Sequence, residues 1–240
     1  MSQEAKKFPE LPGFEVKGVN RANLCVQFRE LAKRAANALK RDPIATKGRV
    51  GQIVFMAVLV LILYKNNRDE PQNIEEMKQQ MMSIAGMLFF CNMSCFMSAY
   101  MTTLTIFNDE RPVIVREQAN QMYDIFPYYF SRVIVENPLF LLSPLLFSTI
   151  MYFGVGLTID AEHFFKFYLA LAMLIQCALS FSYFVSAMIA DGTTALMMGP
   201  ILIFPFLLLG GFFTNSTGIQ VYLQYIAKIS PIRFSFEAVL

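Results

Sequence analysis

The sequence predicts an all-α polytopic membrane protein, and three observations carry that expectation. Apolar residues make up 55% of the 240 positions and charged residues only 16%, with a mean hydropathy of +0.45. Soluble domains run at roughly 25% charged. From Phe167 to Ala227 the only charged side chain is Asp191, and no soluble surface can be built from such a stretch. Finally, five apolar runs approach or reach the ~20 residues that a membrane helix needs. The same figures exclude a soluble globular domain, a collagen, a disulfide scaffold and a disordered chain. Net charge is +2, but its distribution matters more than its sum. Residues 1–50 hold 11 of the 20 Lys and Arg. The positive-inside rule reads that basic flank as the cytoplasmic side of a first membrane helix, in preference to a nucleic-acid-binding arm.

Residues 1–20 form a polar lead broken by Pro9, Pro12, Gly13 and Gly18, with no apolar core of a signal peptide. Residues 21–41 read as an amphipathic helix. Leu24, Phe28, Leu31, Ala35 and Ala38 share one stripe, Arg29, Lys33 and Lys40 fall opposite, and Asn20 or Asn23 can cap the start. Such a helix can lie in the membrane interface or pack on a partner domain, and its pattern leaves both open. Spans are expected at about 44–64, 81–107, 132–157, 164–189 and 193–213. The first is adequate only if it begins near Ile44, with Lys47 and Arg49 snorkelling. Pro200 and Pro205 predict a kink in the fifth.

With the N-terminus cytoplasmic, 65–80 is an external loop and 108–131 a cytoplasmic one. The latter is charged at its start and aromatic later, and Glu117–Tyr123 can form a short helix along the membrane. Arg132 and Glu136 follow at i, i+4 and can pair. Beyond Phe213, Asn215-Ser216-Thr217 is a glycosylation sequon by pattern. Gly218–Ile229 is too short for a span and suits a re-entrant or interfacial segment within an external stretch 214–240. A sixth helix is expected to be missing.

No catalytic constellation is visible. There is no HExxH or GxSxG, and Asp191 is a lone carboxylate. Gly13 and Gly18 have phosphate-loop spacing, but Val19 stands where the motif needs Lys. His163 is the only histidine, and Cys25, Cys91, Cys95 and Cys177 lack metal-ligand spacing. The expectation is therefore no catalytic residue, no metal site and no cofactor on this chain.

Glu110-Arg111-Pro112, Arg116-Glu117 and Met122-Tyr123 together resemble the first cytoplasmic loop of G-subfamily ABC transporters, the white/pleiotropic-drug-resistance group. Phe28-Arg29-Glu30-Leu31 with Lys33-Arg34 and Arg41-Asp42-Pro43 is similar to that family's connecting helix. Gly86–Phe90, Glu136-x-Pro138, Tyr152-x-x-Val155-Gly156-Leu157, Gly210–Phe213 and Ser230–Phe234 match later parts in order, so the likeness covers about residues 20–240.

The resemblance implies a type-2 ABC exporter membrane domain. It would pair with a second such domain as homo- or heterodimer, and work with an ATP-binding domain that holds ATP and Mg in cis or in trans. Glu110, Arg111, Arg116, Glu117, Tyr123, Arg29 and Lys33 would couple to that domain, the plain alternative being a solvated charged face. Phe96, Met97, Phe204, Phe206 and Leu207 would line a cavity for an apolar or amphipathic substrate, with Phe212 and Phe213 as its plug. Ordinary helix packing explains any one of them equally well. Against the family pattern, an ATP-binding domain before this region and a large external loop and sixth span after it are expected to be missing, which would make the sequence either a fragment or a reduced subunit needing its ATPase in trans. A rival expectation follows: a truncated, non-transporting protein that dimerises with full-length transporters and modulates them. The bilayer would be the plasma membrane, the family's commonest location.

Overall fold

The computed structural model describes residues 23–41, 43–64, 73–155, 161–189, 191–212, 225 and 227–239. Among them no strand occurs. The helices are α1 (Leu24–Arg41), α2 (Pro43–Tyr64), α3 (Ile74–Ala119), α4 (Ile125–Val155), α5 (Ala161–Met188), α6 (Gly192–Leu208) and α7 (Pro231–Val239). Helices α3, α4 and α5 are long and apolar enough to cross a membrane, while Val50–Tyr64 of α2 and α6 are apolar but shorter.

Helix α3 runs against α5 for most of its length, and α6 and α7 close on that pair. Helix α4 bridges α5 to α2 and carries α1. The core follows helical periodicity. Leu171, Leu174, Ile175, Ala178 and Val185 of α5 face Met87, Phe96, Tyr100 and Leu104 of α3, with Ile203 of α6 and Ile232 and Phe236 of α7 packed alongside. Buried serines let the helices approach and satisfy polar groups inside the bundle. Ser182 Oγ donates to Tyr100 O at 3.0 Å and Ser186 Oγ to Asn108 Oδ1 at 2.8 Å. Large apolar side chains such as Phe55, Ile62, Phe153 and Met173 point outwards, as lipid-facing positions do.

The expected boundaries shift in four places. Helix α3 has 46 residues, about 69 Å at 1.5 Å per residue, so it extends well beyond a hydrocarbon core. Its first turn takes in Glu75 and Glu76, favourable at a helix N-terminus. At the other end the helix runs through Pro112 into the stretch expected as loop 108–131. Proline forfeits one backbone hydrogen bond there, whereas side-chain bonds from Glu110, Arg111 and Glu117 to three other helices hold the extension. Helix α4 begins at Ile125, before the expected 132. Pro231, expected to end an apolar segment, instead opens α7, where its missing N–H costs nothing. Helix α6 is continuous through Pro200 and Pro205 and is preceded by Asp191, whose carboxylate accepts from Thr194 N at 2.9 Å. The lone charge of the apolar half is thus a helix cap. The expected lead 1–20, Asn20, the Arg49 side chain, loop residues 65–72, Phe213, Asn215 and most of Gly218–Ile229 lie outside the described residues.

Candidate functional site

The strongest concentration of polar contacts lies where α1, the end of α3 and the start of α4 meet. It begins with how α3 stops. Gln121 has φ +52°, in the left-handed region. Gln121 N–H donates to Gln118 O at 2.9 Å and Met122 N–H to Glu117 O at 3.2 Å. This paired closure is a Schellman motif, which satisfies the last carbonyls and reverses the chain. The reversal brings Tyr123, buried, back over Glu117, and its hydroxyl donates to Glu117 Oε2 at 2.6 Å.

Glu117 also receives α1. Arg34 Nη1 donates to both its oxygens, at 2.8 and 2.9 Å. The Arg34 hydrogen bond, and secondarily the Tyr123 one, hold the Glu117 carboxyl below the ordinary carboxylate value. Glu117 in turn raises the Arg34 guanidinium. Burial, then the bond to Glu117, pushes the Tyr123 hydroxyl up. Next to Tyr123, Asp124 N–H donates to the buried Gln27 Oε1 at 3.0 Å, a tie from α1 to the start of α4.

A second knot centres on Arg132 of α4, whose side chain is 6% exposed. It pairs with Glu110 of α3 and lies 3.0 Å through Nε from Glu136 Oε1. That second contact is one of charge, because Nε has no aligned hydrogen-bond acceptor among the described residues. Tyr128 Oη donates to Glu110 Oε2 at 3.3 Å, and Tyr183 Oη of α5 to Glu136 Oε2 at 3.1 Å. Arg111 of α3 faces the other way. It donates to Ser186 O at 2.7 Å and to Ile189 O, the last carbonyls of α5. A cation there meets both the orphan acceptors and the negative end of the helix dipole. Between α1, α3 and α4 the joint encloses a cavity of about 370 Å³.

The expected coupling residues therefore divide. Glu110, Glu117 and Tyr123 sit together in the joint, and Arg111 clasps α5. Arg116 is exposed. Arg29 and Lys33 are exposed and contact Glu30 of their own helix. Helix α1 docks on α4 of its own chain, a packing that the amphipathic pattern did not single out. It is turned so that Gln27 is buried and Leu24 is 56% exposed. Arg34 and Gln27 were not among the expected residues. Their signal was available: they are seven apart, on one face with Leu31 and Ala38. Arg132, Glu136, Tyr128 and Tyr183 were also outside the expected set, although the Arg132–Glu136 spacing pointed to the pair.

The expected cavity residues do not share one surface within the chain. Phe96 is buried and stacks on Tyr100 at 6.2 Å between centroids, and Leu207 is buried too. Phe206 meets Phe181 edge-on at 5.7 Å. Met97 lines a cleft of about 330 Å³ between α2 and α3, with Met93 and Met101. Phe204 is 56% exposed on α6. Phe212 stacks on Phe89 at 5.3 Å, which ties the end of α6 to α3.

Two outcomes are expected here. Gln121→Gly should stabilise the protein by about 0.5–1 kcal/mol, because glycine adopts the left-handed conformation without strain. Thermal unfolding of the reconstituted chain measures it. The second concerns acid. A carboxyl whose folded pKa is depressed contributes stability above its unfolded pKa and loses it as pH falls through the folded value. The Arg34–Glu117 tie should therefore weaken below pH 4.5, the ordinary value from which Glu117 is lowered. Spin labels at Asn37 and Asn120 should report a longer or broader distance distribution in that range, and Arg34→Gln should remove the acid step.

The ABC-2 type transporter family profile matches residues 26–240. The chain is 31% identical over 244 residues to Protein white of Ceratitis capitata, covering 100% of this chain and 35% of that protein. It is 31% identical over 220 residues to Protein white of Drosophila melanogaster, covering 92% and 31% respectively. It is 26% identical over 220 residues to ABC transporter G family member 1 of Dictyostelium discoideum, covering 90% and 27%. The chain thus spans about a third of the length of these curated relatives.

Proposed function

This chain belongs to the ABC-2 type transporter family and is an integral membrane protein, and from that premise we propose that it is the membrane-spanning part of a G-type exporter of amphipathic small molecules. ATP and Mg are bound on an ATP-binding domain acting in cis or in trans, and two membrane domains pair around the substrate path. Helix α1 lies on the cytoplasmic side, in the plasma membrane. The observation that carries this reading is the Arg34–Glu117–Tyr123 contact, which makes α1 and the end of α3 one mechanical piece.

A push from the ATP-binding domain on α1 or the α3 terminus then travels by rigid-body movement. Glu110 and Arg132 pass it to α4. The Glu136–Tyr183 contact and the Arg111 clasp pass it to α5 and the turn before α6. Phe204 and Met97 are accessible to an apolar or amphipathic substrate, for which aromatic faces and Met suit varied shapes.

A charge exchange tests the proposal in the natural protein with its ATP-binding domain, reconstituted in proteoliposomes. Arg34→Glu should cut ATP-dependent uptake of a fluorescent amphiphile more than it cuts ATP hydrolysis. Adding Glu117→Arg should restore most of that uptake. Uptake unaffected by Arg34→Glu would remove the coupling role. Absence of any ATP-dependent uptake in the natural protein would leave the family fold with the modulator's role.

A further inference from the structure

The cavity between α1, α3 and α4 has a composition that joint-building does not require. Its walls are apolar side chains, Leu31, Ala35, Ala38 and Leu39 from α1 with Val113 and Ile114 from α3. Its volume of about 370 Å³ falls within the ~300–1,000 Å³ of small-molecule sites. Helix packing alone would fill such a space, and the small residues at 35 and 38 keep it open.

Its charges balance by count, but one of them is engaged outside the cavity. Facing it are Arg34, Glu110, Arg132 and Glu136, with the Tyr128 hydroxyl. Arg34 is committed to Glu117 through both carboxylate oxygens. Arg132 is shared between Glu110 and Glu136. With Arg34 neutralised by Glu117, which does not line the cavity, one guanidinium, Arg132, is left facing two carboxylates, Glu110 and Glu136, a surplus of one negative charge. That surplus has an accessible position. Glu110 takes its hydrogen bonds from Arg132 and Tyr128 on Oε2, and Oε1 accepts nothing among the described residues. Its side chain is 44% exposed, unlike those of Glu136 and Arg132.

We propose that this cavity is a binding site for a single-chain amphiphile with a protonated amine head, the alkyl chain lying along α1 and the ammonium donating to Glu110 Oε1. An ammonium supplies both the missing charge and donors for the open oxygen. A carboxylate or phosphate head would add to the surplus, and a neutral hydroxyl would leave it uncompensated. The site is separate from the positions on α3 and α6 considered for the transported substrate. It depends on the packing of three helices and not on ATP-driven transport.

The chain contains no tryptophan, so one placed in the cavity reports alone. Leu39→Trp would be reconstituted in phosphatidylcholine nanodiscs and titrated with a brominated twelve-carbon alkylamine, then with the brominated alcohol of equal length. Ile62→Trp, 71% exposed on α2, reports plain partition into lipid. Saturable quenching at position 39 is expected for the amine, at a concentration roughly tenfold below that needed for the alcohol. Glu110→Gln should bring amine and alcohol within about twofold of one another. Ala38→Phe, which fills the cavity without touching a charge, should abolish the saturable phase. Quenching at 39 that rises with partition as at 62 would overturn the site. Equal saturation by amine and alcohol in Leu39→Trp would overturn its selectivity, even if Glu110→Gln failed to fold.

Discussion

Replacing Arg132 with methionine is expected to destabilise the chain by about 3–5 kcal/mol, the range for removing one partner of a buried ion pair. The loss arises from what stays behind. Glu136, with a side chain 14% exposed, would lose its ion pair and keep the hydrogen bond from the Tyr183 hydroxyl. Glu110, at 44%, recovers water and contributes less. Three variants separate these contributions. Arg132→Lys keeps the charge but not a planar fork reaching two carboxylates, and should lose an intermediate amount. Arg132→Met with Glu136→Gln should be more stable than Arg132→Met alone, because the stranded charge is gone. Thermal unfolding in nanodiscs reads all three. A double variant no better than the single would show that Arg132 works through packing and not through its charge.

Gly199→Ala is the second large effect, and it acts through space. A methyl carbon at Gly199 of α6 would lie 2.8 Å from Tyr100 Oη and 2.9 Å from Leu104 Cδ2 on α3. Both neighbours are fully buried in the core. They have little room to give, so overpacking should cost about 1–3 kcal/mol. The Tyr100 hydroxyl is itself buried without a hydrogen-bond partner among the described residues. Tyr100→Phe alone should therefore be neutral or slightly stabilising, since it removes an unsatisfied polar group. Combined with Gly199→Ala it should recover part of the loss, because the closest clash is with that oxygen. Unfolding temperatures of the two singles and the double give the coupling directly. Additive behaviour would place the strain on Leu104.

These two sites differ in how far they could be read in advance. Arg132 and Glu136 stand four apart at the start of an apolar helix, and local spacing is enough to pair them. Nothing local joins either to Glu110, 22 residues before Arg132, because that contact needs α3 to continue past Pro112 and α4 to begin at Ile125. Gly199 reads only as a small residue before a proline. Its reason lies in Tyr100, on another helix.

By itself the sequence determined the class of this protein, the helical character of each apolar run and its family. These are properties of composition, periodicity and short motifs, all of which act over a few residues. The resemblance of its motifs also grouped Glu110, Arg111, Arg116, Glu117 and Tyr123 as expected coupling residues, because motif spacing along the chain carries that signal. Only the tertiary structure decided what each touches. Arg111 and Arg116 have the same side chain five residues apart, yet one caps α5 and the other is exposed. Helix α1 has an apolar stripe that suits a membrane surface or a partner domain equally, and its seat on this chain depends on Gln27 and Arg34, whose partners lie 97 and 83 positions away. A hydrogen bond or ion pair is set by the position of two groups in space. Positions so distant in sequence are brought together only when the helices between them have packed.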